Sequence, residues 1–184
     1  VTTPQLLEDL RRDEGFRARA YQDDRGVWTV GFGHAHCDPR TVWTRDEAET
    51  QLAVDVDLAC ERLDRALPWW RALDDVRQDA LANMAFNMGV GEPPCSTHAG
   101  TGLQSFGRML AALEAGDYTH ASAQMLISHW AKEPPEGVGE RAERLAAMIR
   151  TGERPHAASP AAASQSPALS THPGIHPMTD TLLP

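Results

Sequence analysis

The chain has 184 residues, enough for one domain with a real core, and at 41% hydrophobic and 23% charged its composition is that of a globular, water-facing protein. No run of about 18 apolar residues exists, which argues against stable membrane insertion. The net charge of −9 argues against nucleic acid as a partner, because phosphates need a basic face. Three cysteines are too few, and odd in number, for a disulfide-dense scaffold.

In chain order, Thr3 caps and Pro4 opens a first helix with Leu6, Leu7 and Leu10 on one face, and Gly15 closes it. Ala18 to Tyr21, a turn over Gln22-Asp23-Asp24-Arg25-Gly26, and Val27 to Phe32 then read as strand, turn, strand. Thr44-Arg45-Asp46-Glu47 is a capping box opening a second helix, with Ala48, Leu52, Val56, Ala59 and Leu63 at helical spacing until Pro68. Asp74 and Asp75 cap a third helix that ends at Gly89, and a Gly/Pro-rich loop covers 90–102. Helices are expected around Phe106 to Leu113, over about 118–130 as one piece, and from Gly139 to Thr151. From Pro155 the composition changes to six Pro, six Ala and no aromatic residue, which cannot bury enough apolar surface to offset ordering entropy. The expected organisation is a folded domain over 1–154 and an unstructured tail over 155–184. One hairpin followed by a helical body is an α+β layout.

The chemistry concentrates between Asp13 and His34. This stretch places a carboxylate, Glu14, at the end of a helix and further carboxylates, Asp23 and Asp24, in the turn of the following hairpin, with Thr29 on the return strand. Two carboxylates from different elements facing one cleft is what glycosidic hydrolysis needs: one proton donor, and one group that handles water or the sugar cation. Taken singly, Glu14 reads as an exposed helix-end carboxylate, Asp23 and Asp24 as turn residues bonding their own backbone, and Thr29 as a β-former.

The ordered pattern is more specific than its parts. Glu, eight residues, Asp, five residues, Thr, then Gly31-Phe32-Gly33-His34 resembles the bacteriophage-type lysozymes, the endolysins of glycoside hydrolase family 24. The resemblance continues through Asp55-Val56-Asp57, Asn83 to Gly89, Arg108-Met109-Leu110, Ser128-His129-Trp130 and Arg141 to Gly152, covering roughly residues 3–152. It implies a lysozyme-like fold: a small N-terminal hairpin lobe facing a larger helical lobe across a cleft. It implies Glu14 as general acid, Asp23 orienting the attacking water, Thr29 holding that water, and peptidoglycan as substrate. It also implies Arg141 beside the catalytic Glu, Asn87 and Trp130 on the substrate-binding surface, and a structural pair between His34 and Asp55. The segment between Gly-His and the capping box is short, Ala35 to Trp43, which predicts a sheet without its third strand.

His34, His36 and Cys37 with Cys95 and His98 could supply four zinc ligands, but the first group is spaced too tightly for such a site, and the reading calls for no metal and no cofactor. The tail histidines His156, His172 and His176 carry no expected role. Trp28, Trp43, Trp69 and Trp70 are expected in the core. Val-Thr-Thr-Pro-Gln at the start lacks a basic stretch followed by an apolar segment, so synthesis in the cytoplasm without a leader and action on the wall after release are expected, as a monomer. Two alternatives stay open: a non-catalytic wall-binding module of the same fold, and an antibacterial effector instead of a phage lysis enzyme.

Overall fold

A computed structural model describes residues 2–23, 26–132 and 138–155. Asp24 of the turn, and the tail beyond Pro155, lie outside the described residues. Helix α1 (Pro4–Glu14) starts where expected: the Thr3 side chain accepts from the Leu6 N–H, and Pro4 takes the first helical position, where its missing N–H costs nothing. It ends at Gly15, whose φ of +65 turns the chain out of the helix without the Cβ clash another residue would meet.

Strands β1 (Arg17–Gln22), β2 (Trp28–Gly31) and β3 (His34–Ala35) form an antiparallel sheet in that order, with Tyr21 opposite Thr29 and Val30 opposite His34. The expected loss of the third strand is therefore corrected. Gly31 and Gly33 adopt positive φ, +69 and +89, so the chain reverses within Phe32-Gly33 and two residues suffice for a strand. The short segment that follows returns along the other edge of the sheet, where Ala20 N–H donates to Thr41 and Trp43 N–H to Ala18.

The larger lobe is helical: α2 (Arg45–Ala66), α3 (Asp75–Met88), α4 (Gly107–Glu114), α5 (Tyr118–Leu126), α6 (His129–Lys132) and α7 (Val138–Thr151), with 3-10 turns at Trp70–Ala72 and Gly102–Ser105. The capping box of α2 is complete, the Thr44 hydroxyl accepting from Glu47 N–H while the Glu47 carboxylate accepts from Thr44 N–H. Helix α3 is covered on almost every side: Asp79 through Ala85 are all buried, and this run reads as the centre of the lobe. Around it pack α1, α2 and α7, whose Leu6 and Leu10, Leu52 and Leu63, and Leu145 are buried, each contributing roughly 1.5–3 kcal/mol of apolar transfer. Trp70 joins this core, its indole N–H satisfied by Asp64.

The single helix expected over 118–130 is two. The Ser128 hydroxyl accepts from Ala131 N–H, the bond of an N-cap residue to the third helical position, so Ser128 starts a new helix where the periodic pattern suggested continuation.

Candidate active site

Glu14 is the last residue of α1, and its carboxylate faces α7. Arg141 Nη1 lies 2.8 Å from Glu14 Oε1. The guanidinium is held from behind by one residue of α3: its Nε donates to Asn83 Oδ1 at 2.8 Å and its Nη2 to the Asn83 carbonyl at 3.3 Å. The Asn83 amide in turn donates to Asp13 Oδ2 at 3.1 Å, and the same oxygen takes Arg144 Nη2 at 2.6 Å. Two cations and two anions thus share one buried junction of α1, α3 and α7. Their exposures divide the labour: Asn83 is 0% exposed, Arg141 6% and Asp13 5%, whereas Glu14 keeps 20%. Glu14 and Arg144, the latter 19% exposed, stand at the edge of the junction. Charges buried at this depth stand only when paired and hydrogen-bonded, and here each anion has a guanidinium.

On its open side Glu14 meets the β lobe. A Cβ placed on Gly33 would stand 3.4 Å from Glu14 Oε2, so the backbone of the Phe32-Gly33 reversal forms the wall next to the carboxylate. From there a groove of about 270 Å³ runs between the lobes, with Gly33, His34 and His36 on one side and Asp55, Arg62 and Phe86 on the other. His34 Nδ1 lies 2.9 Å from Asp55 Oδ2, and Gln51 donates to the other Asp55 oxygen, which ties β3 to α2 at the groove.

Asp23 and Thr29 both bond to the backbone of one residue, Val27. Asp23 Oδ1 accepts from Val27 N–H at 2.8 Å, while the Val27 carbonyl accepts both Asp23 N–H at 2.9 Å and the Thr29 hydroxyl at 3.1 Å. The turn-residue reading of Asp23 therefore holds at the level of geometry, whatever chemistry its carboxylate also performs. Thr29 is buried, with its hydroxyl proton committed inward.

Asn87 and Trp130 form a third cluster. The Trp130 indole N–H donates to Asn87 Oδ1 at 2.9 Å, and its ring meets Phe106 edge-on at 6.3 Å. These aromatic walls, with Ser128 and His129, line a separate groove of about 330 Å³. Among the described residues no group of three His, Cys, Asp or Glu side chains is placed to hold a metal ion. No described helix is long and apolar enough to cross a membrane.

Sequence reasoning gave no role to Asp13, Asn83 or Arg144. One signal was present: Asn83 interrupts the apolar run Ala80-Leu81-Ala82 before Met84 and Ala85, and a polar side chain on a buried helix must find partners. Gly33 carried a signal as well, since two glycines one residue apart at a strand end announce unusual backbone.

The family model described as phage lysozyme matches residues 11–150. The chain is 32% identical over 176 residues to the pre-baseplate central spike protein Gp5 of Enterobacteria phage T4, covering 80% of this chain but only 28% of that protein's length. It is 31% identical over 129 residues to an endolysin of Acyrthosiphon pisum secondary endosymbiont phage 1, covering 70% of this chain and 78% of the endolysin. A probable T4-type lysozyme of Dictyostelium discoideum is 24% identical over 174 residues, covering 80% of this chain and 94% of that protein. The matched segment begins within α1 and runs through α7, taking in both lobes and every residue of the Glu14 junction, and the chain belongs to the phage lysozyme family, a family of glycosidases.

Proposed function

We propose that the protein is a peptidoglycan hydrolase that cleaves the β-1,4 bond between N-acetylmuramic acid and N-acetylglucosamine, with inversion at the anomeric carbon. The observation that carries this reading is the Glu14 carboxylate: one oxygen is anchored by Arg141, and the other lies beside Gly33, a residue that also lines the inter-lobe groove. Membership of a glycosidase family and similarity to an endolysin support the same substrate.

In this mechanism Glu14 donates its proton to the glycosidic oxygen as the bond breaks. Arg141 stabilises the carboxylate left after transfer. Asp23 accepts the proton of the attacking water. Because the Thr29 hydroxyl donates inward to Val27, its oxygen is the acceptor that helps orient this water. Inversion requires room for a water between the sugar and the second carboxylate, about 6.5–9.5 Å between carboxyl groups against about 5–5.5 Å in a retaining enzyme. Asn87 and Trp130 offer an amide and an aromatic face at the rim for the sugar chain, and the His34–Asp55 pair fixes the β lobe against α2. The chain acts as a monomer on the wall, without nucleic acid or membrane as partner.

The test is digestion of purified peptidoglycan, with identification of the new reducing ends and NMR of the first product formed. Muramic acid ends with an initial α configuration are expected. Glucosamine ends, or an initial β product, would overturn the bond assignment or the stereochemistry respectively. A folded protein that binds walls and releases no ends would instead be a binding module.

A further inference from the structure

Beyond the Glu14 groove, the structure shows a second groove of about 560 Å³ between the C-terminal half of α2 and the segment from Gly89 to Gln104. Two arginines of α2, Arg62 and Arg65, project into it from adjacent turns. Both are exposed, and among the described residues neither has a hydrogen-bond or ion-pair partner, not even Glu61, four positions before Arg65. Of the anions near them on the helix, Asp55 is engaged with His34 and Asp64 with Arg71 and the Trp70 indole, while Glu61 pairs with neither arginine. In a chain of net charge −9, this is a local cationic spot that its own acids do not neutralise.

The opposite wall is built. Leu103 N–H donates to the Gly89 carbonyl, Gln104 N–H to Val90, the Gln104 amide to Gly91, and Thr101 N–H to Glu92, so the segment is closed on itself by hydrogen bonds. Its one carboxylate at the groove, Glu92, lies 3.9 Å from the His98 ring. Arg62 lines both this groove and the inter-lobe groove beside Gly33, so the two adjoin at that side chain.

We infer that Arg62 and Arg65 form a carboxylate-binding subsite for the peptide stem of the substrate, an inference that rests on the peptidoglycan reading above. The polymer alternates two N-acetylated sugars, one of which bears a lactyl group that carries a peptide, and its free carboxylates lie on those peptides. A groove that carries two arginines and adjoins the inter-lobe groove at Arg62 matches that distribution of charge. Guanidinium groups suit it because each presents two parallel N–H donors to a carboxylate.

The experiment compares wild type with Arg62→Gln/Arg65→Gln on two substrates: native peptidoglycan, and the same material with its peptide carboxyls converted to amides. For wild type the ratio of kcat/KM, native over amidated, is expected to be about tenfold, carried by KM, the size of one or two charge-assisted hydrogen bonds to a partly hydrated site. For the double variant the ratio falls to about one, which is the tenfold difference removed. Because both side chains are exposed, the variant keeps its fold, and circular dichroism verifies that. Equal ratios for the two proteins, at any value, overturn the subsite while leaving the function intact. Failure of wild type to hydrolyse native peptidoglycan overturns the functional reading and the subsite with it.

Discussion

The two carboxylates that carry the proposed chemistry are held in opposite ways. Glu14 is fixed by side chains from α3 and α7, with Arg141 lying 127 residues away in sequence and Asn83 bracing it across 58. Asp23 is fixed by the peptide group of Val27, four residues along its own turn. The first arrangement exists only when the helical lobe has folded, and it buries charge that must stay paired. The second forms wherever the hairpin forms. The acid is thus held by a junction built into the stability of the large lobe, whereas the water-handling group is carried by a local turn whose loss would leave the core untouched.

Substitutions can break this contrast. The largest effect is expected from Glu14→Gln, which should lower turnover on the order of 10²–10⁴-fold, since no neighbouring group can donate the proton. Its melting temperature should stay close to that of wild type, because the new amide carbonyl can still accept from Arg141 Nη1. If the Glu14→Gln variant cleared walls at near wild-type rate, Glu14 would have no place in the mechanism. Asn83→Leu is the reverse case. It touches no substrate, yet strips partners from Arg141 and Asp13 inside the junction, and should cost about 3 kcal/mol of stability. For a domain of this size that is roughly 6–12 °C in Tm, read by calorimetry. A variant as stable as wild type would show that the junction can be rebuilt without its amide.

On the hairpin side, Asp23→Asn should lower kcat about 100-fold while leaving Tm almost unchanged. The Asn Oδ1 can accept from Val27 N–H as the carboxylate does, so the turn survives and only the base is lost. A large fall in Tm would show that the turn depends on charge and not on the hydrogen bond alone.

The same contrast decides what was legible in the sequence. Caps and turns are local, so Thr3, Gly15 and the Thr44 capping box marked helix ends that the structure places within a residue. The candidate carboxylates were legible too, because their spacing from the end of α1 into the turn of the hairpin is itself the pattern. The break at Ser128 was not, since a Ser inside an apolar-periodic stretch is compatible with one helix or with the cap of a second. Nor was β3, whose two residues are defined by pairing and by two positive-φ glycines, not by alternation. The bracing of Arg141 by Asn83 and Asp13 joins three helices distant in sequence, and no local pattern contains it. Arg62 and Arg65 became informative only when the structure showed which acids around them were already engaged.

The smallest effect concerns a second place where charge enters the helical lobe, and its sign is the test. Asp79 of α3 is buried, its Oδ2 accepting from the Thr3 hydroxyl at 2.6 Å and from Arg154, whose other terminal nitrogen reaches Asp9 at 2.5 Å. Burial pushes the Asp79 carboxyl above its ordinary value, outweighing the pull of Thr3 and Arg154 in the other direction. A carboxyl raised in the folded state binds its proton more tightly there than in the unfolded chain, where the value is about 3.9. Between those two values the folded state holds more protons, so the Asp79 contribution to stability falls as pH rises through the window and recovers on acidification. Glu47 behaves oppositely: the Thr44 N–H and hydroxyl lower its pKa, so its contribution is complete above the unfolded value, about 4.3, and is lost as pH falls through the lower folded one. Subtracting the urea unfolding free energy of Asp79→Asn from that of wild type cancels Glu47 and every other group the two proteins share. The difference should favour wild type most near pH 3 and shrink towards about pH 6. A difference that grows with pH would mean that the Arg154 pairing overcomes burial, and that the charge at the end of α7 stabilises α3 much as Arg141 stabilises Glu14.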